Sequence, residues 1–333
     1  VDDGKIILKV LNTDRNQNVR LKVIQGGILS SNKGVNLPNT KVSLPALTQK
    51  DIKDAKLAIK LEFDWIALSF VRSKNDVILL KNLIENNTEE LIPIIAKIEK
   101  PQAIKKMDEI IKVANGIMVA RGDLGIEVPA EEVPLYQKAL VKKANEARKP
   151  VIVATQMMES MIENLTPSRA EVNDVANSVI DGADCIMLSA ETSVGKYPCQ
   201  VVKKVGEIII GVEGAQPIKH KFSLPKIKSK RIITKTICRH AALIANEINA
   251  AAVCTLTHSG YTGWQISSWR PNCLVIVFTS NKRILSQLNL LWGVKSIYYN
   301  KFQSTDKTVE DVNHLAINNR YVKKGDIVVN LAS

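Results

Sequence analysis

Charged residues stand where two apolar runs stop. Pro93-Ile94-Ile95-Ala96 ends in Lys97-Ile98-Glu99, and Gly116-Ile117-Met118-Val119-Ala120 ends in Arg121-Gly122-Asp123. Both runs have the length and β-branching of buried strands, and each carries charge only at its C-terminal end. Lys97 and Glu99 are two residues apart, so they share one face of a strand. The stretch between the runs, 103–114, reads as a helix, which makes the two strands parallel neighbours. Asp123 is then placed to join the pair from the adjacent strand. One cation and two carboxylates around a small space suit Mg²⁺ held against a phosphate group. The structural alternative is an ion pair closing a strand end. For Lys97 and Glu99 by themselves the two readings weigh equally, and Asp123, followed by Leu-Gly-Ile-Glu, favours chemistry.

Those residues need a scaffold that brings strand ends together. From Thr48 onward an amphipathic helix (48–61) is followed by strand-like runs at 65–70, 93–99, 116–123, 150–157 and 185–192, with helical stretches between them. Each run closes on polar residues: Ser69 and Arg72, Lys97 and Glu99, Arg121 and Asp123, Thr155 and Gln156, then Ser189, Glu191 and Thr192. Repeated delivery to strand ends favours a (β/α)₈ TIM-type barrel over an open sheet, because every barrel strand ends at one central mouth. Five such units are visible, so three strands are expected upstream of residue 1. Residues 1–34 read as short β-runs around a polar turn, and 34–47 as an extended connector. After Arg231 a second pattern begins, with strands at 250–257, 274–279, 296–299 and 326–331 alternating with helices. It reads as a separate three-layer α/β domain. The expected boundaries are therefore 1–34, 35–216 and 217–333, and both ends look cut.

Composition narrows the function classes. The chain has 333 residues, 45% hydrophobic, with a formal net charge of +13. The cations are spread over helix surfaces and aromatics are only 5%, which disfavours nucleic acid as the partner. The densest basic segment, 219–231, reads as a solvated linker. A basic surface also suits an enzyme with highly anionic substrates. No apolar run approaches the ~20 residues of a membrane span, and the first residues are not a signal peptide. The five cysteines, odd in number and without CxxC spacing, read as reduced and mostly buried in a cytoplasmic protein. The four histidines are scattered, against a His-based zinc site.

The motifs IIAKIEKPQAI (94–104), NGIMVARGDLGIE (115–127), KPVIVATQMMESM (149–161), TPSRAEVNDVANSVIDGADCIMLSAET (166–192) and KGVNLP (33–38) make the chain resemble pyruvate kinases over essentially its whole length. The resemblance implies a barrel with a β lid inserted after its third strand, and a C-terminal α/β domain that is regulatory. Residues 1–34 would be a remnant of the lid, the barrel would be represented by its last five strands, and the C-terminal domain would be incomplete. Phosphoryl transfer from phosphoenolpyruvate to ADP, giving pyruvate and ATP, is the implied reaction. By motif, Glu99 and Asp123 resemble the carboxylates for Mg²⁺, or Mn²⁺ in its stead. Lys97 resembles the cation on the transferring phosphoryl group, and Thr155 the hydroxyl near the carbon that is protonated. The backbone from Ala120 through Gly122 to Asp123 resembles the cradle for the substrate carboxylate. K⁺ would bind upstream of residue 1, and a cytoplasmic homotetramer is implied. The alternatives are another Mg²⁺-dependent pyruvate or phosphoenolpyruvate barrel, such as an aldolase or lyase, and a non-catalytic fragment. A chain lacking three barrel strands is expected to have little activity alone.

Ser189 and Glu191 read either as support for Lys97 and the metal or as caps of the next helix. Ala190 stands where the family usually has Gly. Arg72 reads as a rim ion pair, and Arg169 as a partner within the chain or across a subunit interface. The turn carrying Thr257, Ser259, Gly260 and Thr262 resembles a loop that holds a sugar-phosphate effector in regulated relatives. His258 and Tyr261 occupy positions where cations are common there, which favours a plain helix cap. Trp264, Trp269 and Trp292 read as packing residues.

Overall fold

Covered parallel strands need helices on one face and a second layer on the other, and the apolar runs supply both. The computed structural model describes residues 1, 4–31, 34–38, 40, 45–215, 231–301 and 303–331. Lys33 of the KGVNLP motif and residues 219–230 of the basic segment lie outside the described residues, so the linker reading is not addressed. The chain opens with an antiparallel hairpin of β1 (Ile7–Thr13) and β2 (Val19–Gln25).

Helix α1 (Gln49–Lys60) starts at Thr48, whose hydroxyl accepts the Asp51 N–H while the Asp51 carboxylate accepts the Thr48 N–H. The wall then builds as β3 (Ile66–Leu68), α2 (Lys74–Glu85), β4 (Ile94–Ile98), α3 (Pro101–Lys105), α4 (Met107–Val113), β5 (Gly116–Ala120), α5 (Arg121–Glu127), α6 (Val133–Glu146), β6 (Val151–Ala154), α7 (Arg169–Asp181), β7 (Cys185–Met187), α8 (Ala190–Ser193) and α9 (Pro198–Ala215). All five strands are parallel and lie in chain order, β3-β4-β5-β6-β7. That one-directional stepping is the order of a barrel wall, where an open doubly wound sheet would reverse. Alternation within the strands sorts the side chains. Ile94, Ala96, Ile98, Ile117, Val119, Val151 and Val153 pack against the helices, with Leu80, Ile110, Leu140 and Val175. Ile95, Met118, Ile152 and Ala154 line the opposite face. Lys97 continues the Ile95 row, so it and Glu99 leave β4 on the inner face.

The remaining chain forms a second sheet. Its elements are α10 (Ile232–Glu247), β8 (Ala252–Leu256), α11 (Tyr261–Ser267), β9 (Leu274–Thr279), α12 (Lys282–Gln287), β10 (Val294–Tyr298), α13 (Thr305–Asn318) and β11 (Val328–Leu331). The strands are parallel in the order β10-β9-β8-β11. Residues of α10 and α11 pack one face through Ala241, Ala245 and Ile266. Val312 and Ala316 of α13 pack the other, against Phe278 and Cys254. This is the expected three-layer α/β arrangement.

Several expected boundaries are too long. The run 116–123 leaves the ladder after Ala120, because Arg121 begins α5. The runs 150–157 and 185–192 likewise stop pairing at Ala154 and Met187. The helix expected over 103–114 is two helices, since Lys106 (φ −116°, ψ 19°) is not helical.

The C-terminal unit is pinned to the amino-terminal end of the wall. Arg270 and Asp184 form a buried ion pair at 2.9 Å, and Arg270 also donates to the Gly182 carbonyl at 2.8 Å. Trp65 Nε1 donates to the Gln287 carbonyl at 3.2 Å, and its ring lies 5.9 Å from that of Trp264. Trp269 lies under the Arg148 guanidinium and Trp292 Nε1 donates to Glu213 of α9 at 2.7 Å, so these rings serve packing between units.

Candidate functional site

Lys97 and Glu99 meet at the C-terminal end of β4. Lys97 Nζ lies 2.6 Å from Glu99 Oε1 and donates to Ser69 Oγ, at the end of β3, at 2.9 Å. Glu99 is fully buried, which is rare for a carboxylate without several partners. Its Oε2 accepts the Phe70 N–H at 2.6 Å. Phe70 is a bulky residue held at φ +54°, a left-handed conformation that turns this N–H toward Glu99. Glu99 Oε1 has no well-aligned hydrogen bond, so its approach to Lys97 is an ion contact only.

Asp123 occupies the first turn of α5, directly after β5, the neighbour of β4. Helix α5 is fixed at both ends. Lys100 pairs with Glu127 at 2.6 Å, linking α5 to the chain after β4. Gly122 N–H donates to Thr155 Oγ1 at 2.8 Å, linking it to the end of β6. A β-carbon at Gly122 would lie 3.4 Å from that hydroxyl, in ordinary contact with it. Thr155 also donates its proton to the Ala154 carbonyl.

Lys97, Glu99, Gly122, Asp123 and Thr155 thus lie on the ends of three adjacent strands. Ser189 and Glu191 serve a different contact. Buried Glu191 accepts the Ser189 N–H at 2.7 Å and the Met158 N–H at 3.3 Å, bracing the chain after β6 against the chain after β7. Ser189 is the N-cap residue of α8 without a side-chain cap bond. Arg72 lies 4.0 Å from Asp76 at the rim, and Arg169 opens α7 as an exposed residue. In the turn after β8, Thr262 is buried and accepts a hydrogen bond from Thr255 Oγ1 at 3.0 Å. Gly260, at φ +75°, caps α11 through its backbone, and Tyr261 stacks with Arg231 at 4.5 Å.

The sequence reading missed the partners that orient these groups. Ser69 was visible as a polar strand end but not as the acceptor for Lys97. Arg121 is one of the strand-end charges, yet its guanidinium turns outward to Asp174 of α7 at 2.6 Å. No local spacing signals a contact between residues so far apart in sequence.

The two carboxylates fit a hard cation. Mg²⁺ takes one or two protein carboxylates and fills its shell with water and substrate oxygens. Among the described residues no cluster of three or more His, Cys, Asp or Glu side chains could hold a metal. A buried carboxylate oxygen without a proper donor, beside a displaceable ammonium, is the feature such an ion would satisfy. Four of the five cysteines are poor nucleophiles: burial pushes the Cys185 and Cys254 thiols up to about 12 and those of Cys238 and Cys273 to about 11.

Comparison with known proteins agrees with this geometry. The family model described as "Pyruvate kinase, barrel domain" matches residues 1–202, and "Pyruvate kinase, alpha/beta domain" matches 235–333. The chain is 42% identical to the pyruvate kinases of Sporosarcina psychrophila and Geobacillus stearothermophilus over 99% of its own length and 56% of theirs. It is also 42% identical to the Corynebacterium glutamicum pyruvate kinase, over the whole of this chain and 68% of that one. The chain therefore spans little more than half the length of the first two relatives, and it belongs to the pyruvate kinase family.

Proposed function

We propose that the protein carrying this chain transfers a phosphoryl group from phosphoenolpyruvate to ADP and protonates the resulting enolate to pyruvate. The observation that carries this reading is the ion pair of Lys97 with the buried Glu99, with Asp123 at the end of the adjacent strand. Phosphoryl transfer asks for alignment and charge neutralisation more than for covalent chemistry, and the cluster offers both. Glu99 and Asp123 would hold Mg²⁺, or Mn²⁺ in its stead. Bound there, the metal would neutralise charge on the phosphoryl oxygens.

The protein's own groups divide the remaining work. Ser69 and Glu99 hold Lys97 Nζ at the mouth, a compact positive charge for the group in flight. The backbone from Ala120 to Asp123 would receive the substrate carboxylate. Its Gly122 N–H now donates to Thr155, so an arriving carboxylate competes for that donor and frees the Thr155 oxygen, whose proton stays donated to the Ala154 carbonyl. Thr155 would then orient the proton delivered to the methylene carbon. A threonine hydroxyl is too weak an acid to protonate an enolate unaided, so it relays or aligns.

Residues 1–34 are assigned to the lid, 35–216 to the barrel and 217–333 to the C-terminal domain. K⁺ dependence, a homotetrameric assembly and a cytoplasmic location are proposed with the family. No described helix is long and apolar enough to cross a membrane. The test is a coupled assay on the full-length protein. Lactate should form from phosphoenolpyruvate through added lactate dehydrogenase only when ADP is present. Pyruvate release without nucleotide would instead identify a lyase.

A further inference from the structure

Thr155 and the next residue, Gln156, have φ of +74° and +54°. A β-branched residue in the left-handed region is a genuine outlier, at a cost on the order of 1–3 kcal/mol. Such a conformation persists only where its surroundings impose it. Here the Arg121 side chain does so. Arg121 Nη2 donates to the Thr155 carbonyl at 2.7 Å and approaches Met157 Sδ at 2.8 Å. Its Nε reaches the Ala154 carbonyl at 3.4 Å. The third nitrogen, Nη1, points outward, pairing with Asp174 at 2.6 Å and donating to Gln137 Oε1 at 3.3 Å. Gln137 in turn donates to Asp181 Oδ2 at 3.1 Å. One guanidinium thus grips the backbone on both sides of the Ala154–Thr155 bond and anchors it to α6 and α7.

We propose that Arg121 is a positioning residue for the proton-transfer step. It fixes the left-handed turn that delivers Thr155 Oγ1 to Gly122 and the mouth. Two carbonyls and a carboxylate are served here by three separate nitrogens of a planar fork, and a lysine has one, so lysine is not an equivalent. The inference rests on the role proposed for Thr155, and the test separates the two.

In the full-length protein with Mg²⁺ and ATP, exchange of the pyruvate methyl protons into ²H₂O, followed by NMR, reads the proton step. Arg121→Lys should slow this exchange by about 10²-fold, the scale expected for a misplacement near 1 Å, while KM for phosphoenolpyruvate stays within about twofold. Combined with Thr155→Val, it should add nothing to the loss caused by Thr155→Val alone. Asp174→Asn, which keeps Arg121 but weakens its anchor, should give a smaller loss of the same kind and serves where Arg121→Lys does not fold. Losses that multiply in the double variant, or wild-type exchange in both Arg121→Lys and Asp174→Asn, would overturn the positioning role alone. Wild-type exchange in Thr155→Val would overturn the role of Thr155 and this inference with it.

Discussion

Removing the ammonium of Lys97 with Lys97→Met tests whether Glu99 is a carboxylate stored in a buried place. At the observed 2.6 Å the gross attraction is about 6 kcal/mol with an effective dielectric near 20. Lys97 is 23% exposed and Glu99 not at all, so screening and desolvation remove much of that figure. The cost of losing only one partner is set by what stays behind. An uncompensated buried charge typically costs about 3–5 kcal/mol, and the Phe70 N–H that Glu99 retains argues for the lower end. At roughly 2–4 °C per kcal/mol for a domain of this size, the metal-free variant should melt about 10 °C below wild type. Adding Mg²⁺ should close much of that gap, because a cation between Glu99 and Asp123 replaces the lost charge. Lys97→Met/Glu99→Gln should be less destabilised than the two single losses combined. Calorimetry of the full-length protein, with and without Mg²⁺, reads all three quantities. Turnover with phosphoenolpyruvate and ADP should fall by about 10³-fold or more, as when a phosphoryl-stabilising cation is removed elsewhere. A metal-free Lys97→Met that melts within about 2 °C of wild type would refute the reasoning, since Glu99 would not be carrying buried charge.

Two further outcomes follow from the packing. Arg270→Met leaves Asp184 buried with only the Val151 and Trp292 N–H groups, at 2.9 and 3.3 Å, so the junction between the units should lose about 3–5 kcal/mol; limited proteolysis should cut the variant faster, and an unchanged cleavage rate would remove Arg270 from that role. Burial pushes the Lys149 ammonium down to about 8, with Lys81 adding repulsion. The sign follows from linkage: between pH 8 and about 10.5 the unfolded chain holds a proton that the folded chain has released, so this group makes stability rise with pH across that window. Melting temperatures at pH 7.5 and 9.5 should therefore show a smaller upward contribution in Lys149→Met than in wild type, and identical pH slopes would refute the assignment.

The strand ends were legible because strands covered on both faces must be continuously apolar, and the pattern breaks where the chain reaches solvent or a site. Pro93 to Glu99 and Gly116 to Asp123 are of this kind, and Lys97 and Glu99 do meet. The lengths were less legible. Arg121 could have continued a strand, and only the ladder shows that it starts a helix instead. The break at Lys106 left no mark either, since 103–114 has a sound helical pattern through a residue that is not helical. The orienting contacts were invisible for a simpler reason. Ser69 with Lys97, Lys100 with Glu127 and Arg121 with Asp174 each join segments more than two dozen residues apart, and no periodicity encodes such pairs.

Glu99 and Glu191 show what the structure adds to a sequence signature. Both follow a barrel strand, and both are buried to 2% exposure or less. Their acceptor capacity separates them. Both oxygens of Glu191 are engaged by backbone N–H groups, from Ser189 and Met158, so the carboxylate is committed to holding two loops together. Glu99 has one oxygen fixed by Phe70 and the other facing an ammonium without a proper hydrogen bond. A carboxylate with both oxygens held by backbone N–H groups has less to offer a cation, because turning toward one would leave buried N–H groups without their acceptor. A carboxylate held by one oxygen and open at the other can exchange a lysine for a metal and keep its place. That difference in unused capacity argues for Glu99 as the metal ligand and for Glu191 as a loop brace.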